Sequence, residues 1–129
     1  MLVVDASVLA PAIADAGDDG RQFRDRFRGE SIAGPDLLRI EVLSVLRRHA
    51  NRGELTAEQA DAAIGDLLAF PITVFPTVPL LRRVWELRPN LTPYDACYVA
   101  LAEAVDCVLI TGDQRLANAS GPRCRIETL

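Results

Sequence analysis

The chain has 129 residues, half of them apolar and 25% charged, with 14 basic and 18 acidic side chains and a net charge of −4. That size supports one domain with its own hydrophobic core, and the charge excludes a protein that holds nucleic acid by bulk attraction. All 14 basic residues are arginine, His49 is the single histidine, and the three cysteines at 97, 107 and 124 make no CxxC pair; P-loop, Schiff-base, lysine-dependent phospho-receiver, HExxH-zinc and disulfide-scaffold chemistries are thereby excluded.

Leu2-Val3-Val4 is a short β-branched run ending at Asp5, with Ser7 placed to cap a helix over 7–14. A turn-rich stretch, 15–20, precedes a helix over 20–28 whose Phe23 and Phe27 lie four apart among Arg21, Arg24, Arg26 and Arg28. Residues 31–33 predict a strand before Gly34-Pro35. Asp36 then caps a helix over 37–51 closed by Gly53, and Thr56 opens another over 56–69. Pro71–Pro76 reads as a strand bracketed by prolines, followed by helices over 78–88 and 93–105, the latter opened by Thr92-Pro93. Cys107–Thr111 is a continuous apolar strand of the kind covered on both faces. Asp113 starts a short helix to about 118, and 125–128 closes the sheet. Short strands alternating with helices predict one α/β unit over residues 1–129, a three-layer α/β/α sandwich around a parallel sheet of four to five short strands. Cys97 and Cys107 sit in apolar runs and read as small core residues of a reducing compartment. The amino terminus carries no charged n-region, and no apolar run approaches the roughly 18 residues of a membrane span, so a cytoplasmic protein is expected.

Four carboxylates stand out. In a parallel α/β sheet the ligand crevice lies beyond the carboxyl ends of the strands. Asp5 follows the first strand and Asp113 follows the strand ending at Thr111, so both reach that edge if the strands are neighbours. Each also has a plain reading, Asp5 as a turn residue and Asp113 as a helix cap. Glu41 lies three residues after Leu38 and four before Val45, on the apolar stripe of its helix. Buried there, it needs a partner: an arginine across the core, or a cation. Asp95 shares its helix face with Tyr98, Val99 and Ala102, although Thr92 and Asp95 also resemble a capping box. Four such anions in one crevice, with no lysine to neutralise them, call for a divalent cation, and oxygen-only donors select Mg²⁺ or Mn²⁺. A carboxylate-held Mg²⁺ points to phosphodiester hydrolysis.

At this point the sequence resembles the PIN-domain nucleases and, among them, the VapC-type toxins of bacterial toxin–antitoxin pairs. The resemblance rests on Val3-Val4-Asp5-Ala6-Ser7, Pro35-Asp36-Leu37-Leu38-Arg39-Ile40-Glu41-Val42, Leu91-Thr92-Pro93-Tyr94-Asp95-Ala96 and Leu109-Ile110-Thr111-Gly112-Asp113-Gln114-Arg115-Leu116. It implies a Mg²⁺-dependent endoribonuclease with Asp5, Glu41, Asp95 and Asp113 as its acidic quartet and metal ligands, and with Ser7 and Thr111 as supporting hydroxyls. It also implies a homodimer and a cognate antitoxin, giving a heterotetramer or larger assembly. The family often has Asn three residues after the helix glutamate, where this chain has Ser44. RNA would be gripped by arginine rims, with Arg21, Arg24 and Arg28 the leading candidates and Arg47, Arg48 and Arg52 beside them. Trp85 reads as core or dimer interface, and His49 as surface. Two further readings are kept. One is a catalytically silent PIN-like dimerisation or partner-binding module; the other is a Mg²⁺-dependent phosphatase with Asp5 as nucleophile, which usually wants a second aspartate where Ser7 stands.

Overall fold

A computed structural model covers Met1–Leu129. Five strands, β1 (Leu2–Val4), β2 (Ile32–Pro35), β3 (Ile72–Phe75), β4 (Val108–Thr111) and β5 (Ile126–Thr128), form one sheet in the order β3-β2-β1-β4-β5. Every pairing is parallel. β1 is entirely buried and central, as its run of β-branched residues requires. Between β1 and β2 lie α1 (Ala6–Ala14) and α2 (Asp18–Phe27); between β2 and β3 lie α3 (Leu38–Asn51) and α4 (Ala57–Ala69). A 3₁₀ turn (Val78–Leu80), α5 (Leu81–Glu86) and α6 (Pro93–Ala104) lead to β4, and α7 (Gln114–Ala117) joins β4 to β5.

The chain steps from β1 to β3 in one direction and then jumps back across β1 to β4. Right-handed crossovers therefore place α1–α4 on one face and α5–α7 on the other. α1 packs on α2, α3 and α4, whereas α6 packs on α5 and on β1, β2 and β4. Every residue of α6 from Ala96 to Ala102 is buried, which is why this segment shows no polar face in sequence. The expected α/β sandwich is present, and its topological switch point lies between β1 and β4.

Several local expectations shift. Asp5, not Ser7, caps α1: its side chain accepts the Ser7 N–H. Asp36 does not cap α3, which begins at Leu38 without a side-chain cap. Its N–H instead donates to the Phe75 carbonyl at 3.0 Å, continuing the β2–β3 ladder one residue further. α2 starts at Asp18, where Asp18 and Asp19 meet the positive end of the helix. The predicted 78–88 helix is divided into the 3₁₀ turn and α5. Trp85 is 67% exposed and so is not core; Cys97 is buried, and Cys107 only half-buried.

Gly20 sets the approach of α2 to α1. A Cβ there would lie 2.0 Å from the Asp15 carbonyl and 2.6 Å from that of Pro11, so only glycine fits. The close approach lets Arg24 donate to the Ala12 and Asp15 carbonyls at 3.0 and 2.7 Å, satisfying the carboxyl end of α1.

Candidate active site

Asp5 sits at the carboxyl end of β1, level with Thr111 of β4, because Val4 pairs with Ile110 and the Asp5 N–H donates to the Ile110 carbonyl. Asp5 is only 6% exposed, and its carboxylate is held by two matching relays. The Gly112 N–H donates to Ser7 Oγ at 2.8 Å, and Ser7 Oγ donates to Asp5 Oδ1 at 2.5 Å. The Asp113 N–H donates to Thr111 Oγ1 at 3.1 Å, and Thr111 Oγ1 donates to Asp5 Oδ2 at 2.5 Å. Each carboxylate oxygen thus receives one hydroxyl proton. The Ser7 N–H also donates to Oδ1 at 3.0 Å, so the bonds fix the plane of the carboxylate and leave acceptor capacity on Oδ2.

Glu41 comes from the first turn of α3. Its partner is not an arginine across the core: Tyr98 Oη donates to Glu41 Oε1 at 2.5 Å. Tyr98 is buried on α6, three residues after Asp95. The two helices belong to opposite faces of the sheet and meet over its carboxyl edge through this bond. Asp95 lies in the first turn of α6, where its N–H donates to Thr92 Oγ1 at 3.2 Å; this is one half of the expected capping box. Asp113 caps α7, its side chain accepting the Arg115 N–H at 2.9 Å. The plain reading of Asp113 as a helix cap therefore holds together with its place in the crevice, whereas Asp5 is a helix cap rather than a turn residue.

All four carboxylates line one open cleft of about 500 Å³, together with Ser7, Ile40, Ser44, Arg48, Tyr94 and Tyr98. Burial lifts the Asp5 carboxyl above its ordinary value, against the pull of the Ser7 and Thr111 bonds, and the charge of Asp95 adds to the rise. Burial likewise raises Glu41 against the Tyr98 bond, with Asp95 and Asp5 contributing. Asp95 is raised by burial and then by Asp113, partly offset by Thr92 and Arg115. The sites thus repel one another through the cleft. Their side chains do not close into a ready-made cluster of three ligands around one point. The donor set is nevertheless all oxygen, mutually repelling and half-buried, which is the chemistry a hard dication such as Mg²⁺ or Mn²⁺ relieves.

The arginine candidates on α2 fall elsewhere. Arg21 pairs with Asp18 and Arg28 with Asp25, each on its own helix, and Arg24 is bonded to carbonyls of the α1 end. Arg24 and Arg28 border a separate hollow with Ser31, Ile32, Ile72 and Thr73, at the amino ends of β2 and β3. The arginine that lines the acidic cleft is Arg48, while the exposed Arg115 pairs with Asp113 at 3.5 Å. Sequence reasoning placed Arg48 beside the α2 set without distinguishing it, although its spacing of seven from Glu41 puts the two on one face of α3. In sequence Tyr98 is only a face neighbour of Asp95; its hydroxyl finds its partner, Glu41, through the meeting of α3 and α6.

The PIN domain family pattern matches residues 2–122. The chain belongs to the PIN domain family. Ribonuclease VapC9 of Mycobacterium tuberculosis is 40% identical to this PIN domain over 129 residues, an alignment covering 100% of the chain and 98% of VapC9. The crystal structure of PAE2754 from Pyrobaculum aerophilum is similar at a TM-score of 0.69 and 27% identity, over 97% of this PIN domain and 81% of that chain. DNA-bound VapBC from Salmonella typhimurium shares the fold at a TM-score of 0.68 and 13% identity, over 98% of this chain and 96% of that one. This PIN domain is thus of the VapC type. None of its helices is long and apolar enough to cross a membrane.

Proposed function

We propose that this PIN domain is a divalent-metal-dependent endoribonuclease and the toxin of a toxin–antitoxin pair. The observation that carries the reading is the single cleft at the β1–β4 switch point lined by Asp5, Glu41, Asp95 and Asp113. Ribonuclease naming among its full-length relatives supports the same reading. Asp5, Glu41, Asp95 and Asp113 would hold Mg²⁺ or Mn²⁺. When bound, that ion supplies activation of a water and stabilisation of charge on the phosphoryl oxygens. Ser7 and Thr111 keep the Asp5 carboxylate oriented toward the cleft, and Tyr98 does the same for Glu41. Ser44 faces the cleft three residues beyond Glu41, where its hydroxyl can still hydrogen-bond a neighbour. A cognate antitoxin partner and a homodimer complete the proposal, supported by the VapC kinship and the shared fold of a VapBC structure.

The silent-module reading loses ground because all four carboxylates are retained and face one cleft. The phosphatase reading loses ground because the residue where a second carboxylic acid is wanted is Ser7, whose hydroxyl is a far weaker acid and is bonded to Asp5. Asp95→Asn tests the proposal directly. It should lower RNA cleavage in Mg²⁺ by more than the roughly 10–100-fold typical of losing a supporting bond, with an unchanged circular dichroism spectrum. Cleavage at the wild-type rate would overturn it.

A further inference from the structure

Resting on the ribonuclease reading, we propose that the RNA strand enters the cleft along α3, its phosphates gripped by Arg48 and Arg52 and one base stacked on Tyr94. Positions 41, 45, 48 and 52 fall within about 60° of one another around a helix of 3.6 residues per turn. The stripe that begins with Glu41 in the cleft therefore continues through Arg48 at its mouth to Arg52 at the end of α3. Neither arginine takes part in any of the molecule's ion pairs, in contrast to Arg21 and Arg28. Two exposed guanidiniums without anionic partners, aligned on an acidic cleft, are suited to phosphate oxygens. They also give a protein of net negative charge a local cationic approach.

The opposite lip is supplied by the first turn of α6. Tyr94 lines the same cleft and is 64% exposed, an aromatic face turned to solvent immediately before Asp95. An unpaired base stacks on such a ring with little dependence on its identity.

The test uses binding of a fluorescein-labelled, mixed-sequence single-stranded RNA to the full chain in Mg²⁺, on an Asp5→Asn background, across a range of KCl concentrations. Arg48→Ala and Arg52→Ala should each lower the slope of log affinity against log salt by about 0.7. Tyr94→Ala should weaken binding about tenfold without changing the slope, and Tyr94→Phe should restore it. Arg21→Ala and Arg28→Ala should leave the slope unaltered. Unchanged slopes for Arg48→Ala and Arg52→Ala, or a lowered slope for the α2 variants, would overturn the proposal. If the wild-type chain cleaves RNA while those slopes stay fixed, the ribonuclease reading stands and the strand path falls. If the wild-type chain neither cleaves nor binds, both fall.

Discussion

Asp5 joins two roles in one side chain, closing the first turn of α1 and facing the cleft beside three other acids. Its folded carboxyl is raised above 3.8 chiefly by burial. Between the unfolded and folded values the native state holds a proton that the unfolded chain has released, so its stability falls as pH rises through that window. Above the folded value the full cost of the buried charge is present. In metal-free protein, Asp5→Asn should therefore raise the melting temperature at pH 7, and the gain should fade as the pH approaches 4. Asparagine caps helices as well as aspartate does, so the cap contributes little to the difference. A variant that melts lower at pH 7 would show that the Ser7 and Thr111 bonds outweigh desolvation. At this scale the sequence was legible for carboxylates and opaque for their partners. Asp5, Glu41, Asp95 and Asp113 could be found because acids on apolar stripes or at strand ends are anomalous. Nothing local in the chain pairs Tyr98 with Glu41 or Thr111 with Asp5, since these contacts join residues 57 and 106 positions apart.

Elements were legible where period and composition agreed. The β1 and β4 runs, the Phe23–Phe27 face of α2 and the capping box of α4 at Thr56 and Gln59 each follow from local chemistry. Caps at Ser7 and Asp36 were misplaced because a short polar residue before a helix has more than one use: Ser7 serves Asp5, and the Asp36 backbone serves the sheet. Spacing also could not reveal that Gly20 marks a contact between helices. That contact gives a sharp expectation. Gly20→Ala puts a methyl against two carbonyls of α1, and overpacking of this kind costs about 1–3 kcal/mol. Chemical denaturation should show a loss in that range or larger, with the same loss in Arg24→Ala absent or smaller. An unchanged midpoint would mean that α2 can swing away freely.

For the whole molecule, strand order decides where chemistry can occur. Placing β1 between β2 and β4, with helices wrapped in opposite directions on either side, opens the cleft above the β1 and β4 ends and brings α3 and α6 to its two lips. Alternation of strands and helices foretold a parallel sheet, whereas the order β3-β2-β1-β4-β5 depends on long-range pairing that local sequence does not encode. A cation held at the common edge of these elements would be a cation held by the folded state alone. Mg²⁺ or Mn²⁺ should accordingly raise the melting temperature by mass action, about 2.7 kcal/mol at a hundredfold excess over the dissociation constant. The rise should shrink in Asp95→Asn. A flat calorimetric titration would remove the cation from the reading.

Because Asp5 and Asp113 each start a helix, replacement of either would, on the proposed ribonuclease reading, meet a double filter: most side chains would silence the cleft and unsettle the chain at once. Asparagine is the exit that keeps the shape. A descendant of this sequence that abandoned its chemistry yet stayed folded would bear Asn at positions 5 and 113. Asp95, whose carboxylate caps no helix, would drift more widely.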